Sequence, residues 1–334
     1  MVSAVIFVAT SCVSPLTGFA FWETNLAYEG ESIYNYLQVK NLSDRTILST
    51  NVLFGVQSVT MKDKGLTGMY YDTALAAPAL ADNANSALIL GMGTGTYARQ
   101  LKQYYPKMNI TGVEIDQKIT DLAGEYFDEP ADIPVTTYDG RVWLAASHDK
   151  YDVIMVDAYQ DITIPFQMSS TEFFTMVREH LNPGGVMVVN MNMISDGQGS
   201  INEALSDTIA SVFGNGNTLT ADVPNTTNRE LFAKKPGSGS EENSMQQASK
   251  ALNLRETTYE RTGSEDLEWY MEEVASRFRK VNEPDSASTI LTDDKAPVEV
   301  LGMHAIDQII ADEAGPYRQI LKDEGFGGLL RAVQ

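Results

Sequence analysis

The chain has 334 residues, with 45 acidic against 24 basic side chains and a formal net charge of −21. Such an acidic balance argues against nucleic acid as a partner, because phosphate binding needs a basic face, and it favours small cations instead. The single cysteine, Cys12, rules out an internal disulfide, and His148, His180 and His304 are too far apart in sequence for a zinc site, so no metal is expected.

Residues 1–22 carry no charge and contain a long apolar run. That length approaches the roughly 20 residues of a bilayer span. The expectation is a cytoplasmic chain whose residues 1–22 form a membrane anchor or, failing that, a buried N-terminal hairpin. Over 31–60, "SIYNYLQVK", "RTILST" and "NVLFGVQSVTMK" are rich in β-branched and aromatic residues, with polar turns between them. They predict a small antiparallel β domain within 23–80, closed by the helix-forming "MYYDTALAAPALA".

From residue 86 strand-like and helix-like segments alternate. "SALIL", "NITGVEI", "IPVTTY", "YDVIMVD" and "GVMVVNMN" are each followed by a segment of helical composition. Alternation of this kind predicts a parallel, doubly wound sheet over 81–235. The successive strands "NTLTADV" and "RELFAKK" add an antiparallel partner at its edge. Residues 236–250 read as a linker and 251–334 as a helical extension, with a last helix from about Ala305 to Lys322. Phe166, Met168, Phe173 and Phe174 are expected in the core. "TDDKAP" either caps a helix or covers the site.

The first βα turn reads Gly91-Met92-Gly93-Thr94-Gly95-Thr96. A dinucleotide fingerprint would place its third glycine at Thr96, so pyrophosphate is disfavoured and a nucleoside without phosphates fits better. Glu114 ends the next strand, about 20 positions on, where a carboxylate can accept both ribose hydroxyls. Asp139 and Asp157 follow the third and fourth strands. Ligands of open α/β sheets bind at the carboxyl ends of the strands, so the glycines and all three acids fall along one edge. Taken singly, each acid could equally cap the following helix.

These residues resemble the polyamine aminopropyltransferases (spermidine and spermine synthases), which have the class I S-adenosylmethionine-dependent methyltransferase-like fold. The resemblance covers about residues 28–235, through "ESIYNYLQV", "YYDTALAAPAL", "GMGTGT", "VEID", "YDGRVWL" and "YDVIMVDAY". "VDAYQDITIPFQMSSTEFF" and "LTDDKAPVEVL" look more like the branch in which a membrane transporter-like region precedes the synthase. The resemblance implies a Rossmann-like seven-stranded sheet behind the small β domain. It implies a nucleoside held by Gly91, Gly93, Thr94, Gly95 and Glu114, adenine contacted by Asp139, and Gln57 lining the site. It places Asp157 at the reacting centre and brings a homodimer as an expectation. Departures fall on the polyamine side: Thr94 stands where the family has an aspartate, Gln160 where it has its second acid, Tyr71 for a histidine and Asn35 for a glutamine.

The co-substrate is then decarboxylated or ordinary S-adenosylmethionine, and the partner a small cationic amine. Asp157, assisted by Asp161, is the candidate base. Tyr71, Tyr159 and Gln160 are candidates for the amine site, since aromatic faces attract ammonium groups. Aminopropyl transfer is the first reading; a methyltransferase and a non-catalytic nucleoside- or polyamine-binding module are the alternatives.

Overall fold

The computed structural model describes residues 23–51, 56–63, 65–128, 130, 132–158, 164–192, 197, 199–214, 216–237, 244–304 and 322. Residues 1–22, Tyr159, Gln160, Asp161 and the helix expected over 305–321 lie outside the described residues. Among the described residues no helix is long and apolar enough to cross a membrane.

Four antiparallel strands form the first sheet in the order β1-β2-β3-β4: β1 (Leu26–Glu31), β2 (Tyr36–Asn41), β3 (Arg45–Thr50) and β4 (Ser58–Met61). Strand β1, in "LAYEGE", was not anticipated, because its buried and exposed positions do not alternate cleanly. Leu37, Val39 and Leu48 of this sheet pack on Ile119, Leu122 and Phe127 at and just beyond helix α4 (Gln117–Tyr126). Full burial of each such side chain contributes about 1.5–3 kcal/mol. Ser32 and Asn35 also donate to the Asp116 carboxylate at 2.5 and 3.1 Å, tying the small sheet to the next domain.

The second sheet contains β5 (Ser86–Leu90), β6 (Asn109–Glu114), β7 (Val135–Thr137), β8 (Tyr151–Val156), β9 (Leu181–Met191), β10 (Thr218–Asp222), β11 (Arg229–Lys234) and β12 (Arg279–Lys280). Its order is β12-β10-β11-β9-β8-β5-β6-β7. Strands β5 to β9 run parallel, as the alternation predicted. The antiparallel partner expected at the edge, β11, lies inside the sheet, because it pairs with both β9 and β10. The expected seven strands become eight because β12 adds to β10 through two pairs, Leu219↔Lys280 and Thr220↔Arg279. A two-residue exposed "RK" has no apolar periodicity by which to be recognised.

Short helices α1 (Tyr70–Ala74) and α2 (Ala76–Leu80) are fully buried and belong to the core on one face of this sheet. Helix α3 (Thr96–Tyr104) shares that face through Tyr97, Ala98 and Leu101. The opposite face is covered by α6 (Thr171–His180) and α7 (Ile201–Phe213), with α5 (Gly140–Ala146) beside them. Helix α7 buries Ile201, Ala204, Leu205, Thr208, Ile209 and Phe213, the spacing of a single helical stripe, and Ser200 caps its start. Met168, Phe173 and Phe174 are core residues as expected. Phe166 is not: it lies in the turn Phe166–Met168 after Pro165 and is half exposed. Helix α8 (Ser244–Ala248) falls within the segment read as a linker, 236–250; α9 (Ala251–Thr262) and α10 (Glu265–Arg277) follow, and α9 packs against α2. The ring nitrogens of His180 lie 2.8 Å from the Met176 carbonyl and 3.1 Å from that of Ser147, a helix-end role.

Candidate active site

Strand β5 pairs with β6 on one side and β8 on the other, so chain connections diverge at its carboxyl end. That is where open α/β sheets hold ligands. A cleft of about 310 Å³ opens there. Gly91, Gly93, Glu114, Asp139, Asp157, Gln57 and Tyr71 all line it, so the structure brings together seven of the expected residues. Thr94 and Gly95 are not part of the lining. Gly95 is the left-handed N-cap of α3, and the Thr94 side chain is fully buried, its hydroxyl without a hydrogen-bond partner among the described residues.

Gly91 has φ +87°, and a Cβ built on it would lie 2.3 Å from the Asp157 carbonyl oxygen. The bend therefore brings two backbones together, and only glycine permits both the dihedral and the approach. Gly93, with φ +55°, donates its N–H to Glu114 Oε2 at 2.8 Å, while Asp116 N–H donates to Oε1 at 3.0 Å. Glu114 is thus fixed by two backbone donors, and its remaining lone pairs stay available for ribose hydroxyls. Burial raises its pKa, opposed by those backbone bonds. Asp139 does cap a helix: its Oδ1 accepts Val142 N–H at 2.9 Å at the start of α5. It lines the cleft as well, so the two readings of this acid coexist.

Asp157 receives the Tyr70 hydroxyl on Oδ2 at 2.6 Å and Asn190 Nδ2 on Oδ1 at 2.9 Å. Asn190 Oδ1 in turn accepts Asn228 Nδ2 at 2.8 Å. Burial lifts the Asp157 pKa to about 7; the Tyr70 and Asn190 bonds pull it down and the Glu114 charge pushes it up. Tyr70 itself is pushed well above the ordinary phenol by burial and by Asp157, so it stays a donor. The Tyr71 hydroxyl donates to the Gln57 carbonyl at 3.1 Å, and its ring lies 4.0 Å, centroid to centroid, from that of Tyr70. Tyr70 and Asn190 were not anticipated. Asn190 was within reach of the same argument as Asp157, since it is a polar residue ending an apolar strand at the same edge. Nothing in the sequence distinguishes Tyr70 from Tyr71.

Among the described lining residues there are three carboxylates and no lysine, arginine or histidine. Among the described residues no cluster of ligating side chains could hold a metal ion. Residues 69–235 match the spermine/spermidine synthase domain. All 334 residues align at 99% identity with a probable polyamine aminopropyl transferase of Bifidobacterium longum, covering 75% of that protein. The chain belongs to the spermine/spermidine synthase family. This synthase-family fold is shared with a probable spermidine synthase from Corynebacterium glutamicum, at TM-score 0.57 and 20% identity over 79% of this chain and 98% of that one. A spermidine synthase in complex with a transition-state analogue superposes with TM-score 0.52 at 18% identity, over 64% of this chain and 75% of the other.

Proposed function

We propose that this enzyme transfers an aminopropyl group from decarboxylated S-adenosylmethionine to a small amine. The observation that carries the reading is a nucleoside-sized cleft lined by Glu114, Asp139 and Asp157, with no cationic side chain among its described lining residues, which suits a sulfonium donor and an ammonium acceptor. Glu114 holds the ribose, and Asp139 with Tyr138 and Ile115 faces the base. Asp157 accepts a proton from the acceptor ammonium. The freed nitrogen attacks the propyl carbon beside the sulfonium, the N–C bond forms as the C–S bond breaks, and the electron pair leaves on sulfur as a neutral thioether. A base with pKa about 7 matches a proton transfer at neutral pH. Tyr71 forms the acceptor side of the cleft; Tyr159, Gln160 and Asp161, assigned to the same end from the sequence, lie outside the described residues.

Binding of decarboxylated and ordinary S-adenosylmethionine is measured side by side, together with polyamine formation by mass spectrometry. The expected result is tighter binding of the decarboxylated donor and a new amine 57 mass units heavier (roughly one C3H7N unit, one bond exchanged as above). Methylation of an amine instead would overturn the reading in favour of a methyltransferase. Glu114→Ala should weaken donor binding by about two to four orders of magnitude, as expected for loss of two hydrogen bonds to a charged group at about 1.5–3 kcal/mol each; unchanged affinity refutes the ribose assignment. A homodimer and membrane attachment through residues 1–22 are further proposals, checked by sedimentation and by membrane fractionation.

A further inference from the structure

Residues 291–295 lie outside the matched domain, yet they are bonded to one wall of the cleft. Leu291 is fully buried; its N–H donates to Thr208 Oγ1 on α7 and its carbonyl accepts Thr171 N–H of α6, both at 2.9 Å. Thr292 and Lys295 then exchange backbone hydrogen bonds at 3.0 and 2.9 Å, closing a tight turn. Asp293 sits at its tip. Its N–H donates to Glu172 Oε2 at 3.1 Å, and its Oδ1 accepts the hydroxyl of Ser170, the cap of α6, at 2.5 Å. The carboxylate also takes Arg141 in a two-pronged pair, Nη1 to Oδ1 at 2.7 Å and Nη2 to Oδ2 at 2.6 Å. Arg141 Nη1 donates in addition to the Gln167 carbonyl at 2.7 Å.

Arg141 therefore joins two parts of the lining. It lies two residues after Asp139 on α5, and through Gln167 it holds the Pro165–Met168 turn. We infer that Asp293 is a positioning residue of the donor site: it fixes the Arg141 fork so that the Asp139 wall and the Gln167 wall keep their separation. The inference rests on the donor reading given above. The planar fork supplies geometry as well as attraction, which a lysine in its place would not. The pair is partly exposed, so its value to global stability is small. Asp157, Tyr70 and Asn190 make none of these contacts, so the reacting groups are untouched.

The test uses the full chain with Asp293→Asn, which keeps shape and removes charge, and Asp293→Glu as the conservative variant. Donor binding is measured by calorimetry without amine, and steady-state constants are measured for both substrates. Asp293→Asn should raise the donor Kd and KM about tenfold, equivalent to 1.4 kcal/mol, with kcat and the amine KM within about twofold. Asp293→Glu should recover most of the loss, and Arg141→Lys should resemble Asp293→Asn. Wild-type donor affinity in Asp293→Asn overturns the inference. So does a parallel worsening of both substrates together with a lowered melting temperature, which marks general loosening. A wild-type chain that binds no adenosyl sulfonium is a failure of the functional reading itself, visible before any variant is made.

Discussion

Tyr70→Phe tests the proposed role of Asp157 as the base and how Tyr70 tunes it. The phenol donates at 2.6 Å to Asp157 Oδ2, and that bond favours the ionised carboxylate. A hydrogen bond to a charged group contributes about 1.5–3 kcal/mol. At 1.36 kcal/mol per pK unit, its loss raises the Asp157 pKa by about one to two units. With a starting value of about 7, half of the wild-type enzyme carries an ionised Asp157 at neutral pH. In the variant that fraction falls to roughly one-tenth to one-hundredth, so kcat/KM at pH 7 drops about five- to fifty-fold. The sign follows from the base: activity is present above its pKa and lost below it. The deficit should therefore shrink as pH rises and nearly vanish by about pH 10. Tyr70 is not itself titrating in this range, because burial and Asp157 hold its pKa well above the ordinary phenol. The assay is the pH profile of aminopropyl transfer for both proteins. A loss of equal size at every pH, or an acidic limb that stays put, refutes the reasoning and leaves Tyr70 as an orienting group only.

Gly91→Ala forces a Cβ to within 2.3 Å of the Asp157 carbonyl at a φ of +87°; denaturant midpoints should show a loss of about 1–3 kcal/mol, and activity should fall with it. Glu230 on β11 is fully buried opposite Asn190 in the ladder, and neither carboxyl oxygen has a hydrogen-bond partner among the described residues. Burial and the Asp157 charge push its pKa well above the ordinary 4.5. Glu230→Met, of similar shape, should stabilise the fold by about 1–3 kcal/mol at neutral pH, read from urea melts. Because the folded pKa is raised, the wild-type contribution is intact below about pH 4.5 and is lost as pH climbs through the folded value. The variant should therefore gain more at pH 8 than at pH 4; equal gains would contradict the assignment of a buried neutral acid.

Much of the cleft lining is legible in the sequence. The glycines of "GMGTGT", Glu114, Asp139 and Asp157 follow successive apolar strands, and a parallel sheet puts every such position on one edge regardless of the details of packing. The helices with single apolar stripes and the strands of the antiparallel β10–β11 pair were readable for the same reason: local periodicity carries the information. Thr94 belongs to the loop but not to the described lining of the cleft, because loop spacing does not say which side chains face inward. Phe166 was misplaced because Pro165 starts a turn there, ending the helical period by which it was counted among the core residues.

What the linear order determined, then, was which elements form and which of their ends carry acids and glycines, since period and turn chemistry act over a few residues. Only the tertiary structure decided which groups surround Asp157 and brace the cleft. Tyr70 and Asn190 come from segments 87 and 33 positions away, and the Arg141–Asp293 pair spans 152. The physical reason is that a hydrogen bond between side chains depends on distances set by how helices and strands pack, and no periodicity of either partner's own segment encodes that.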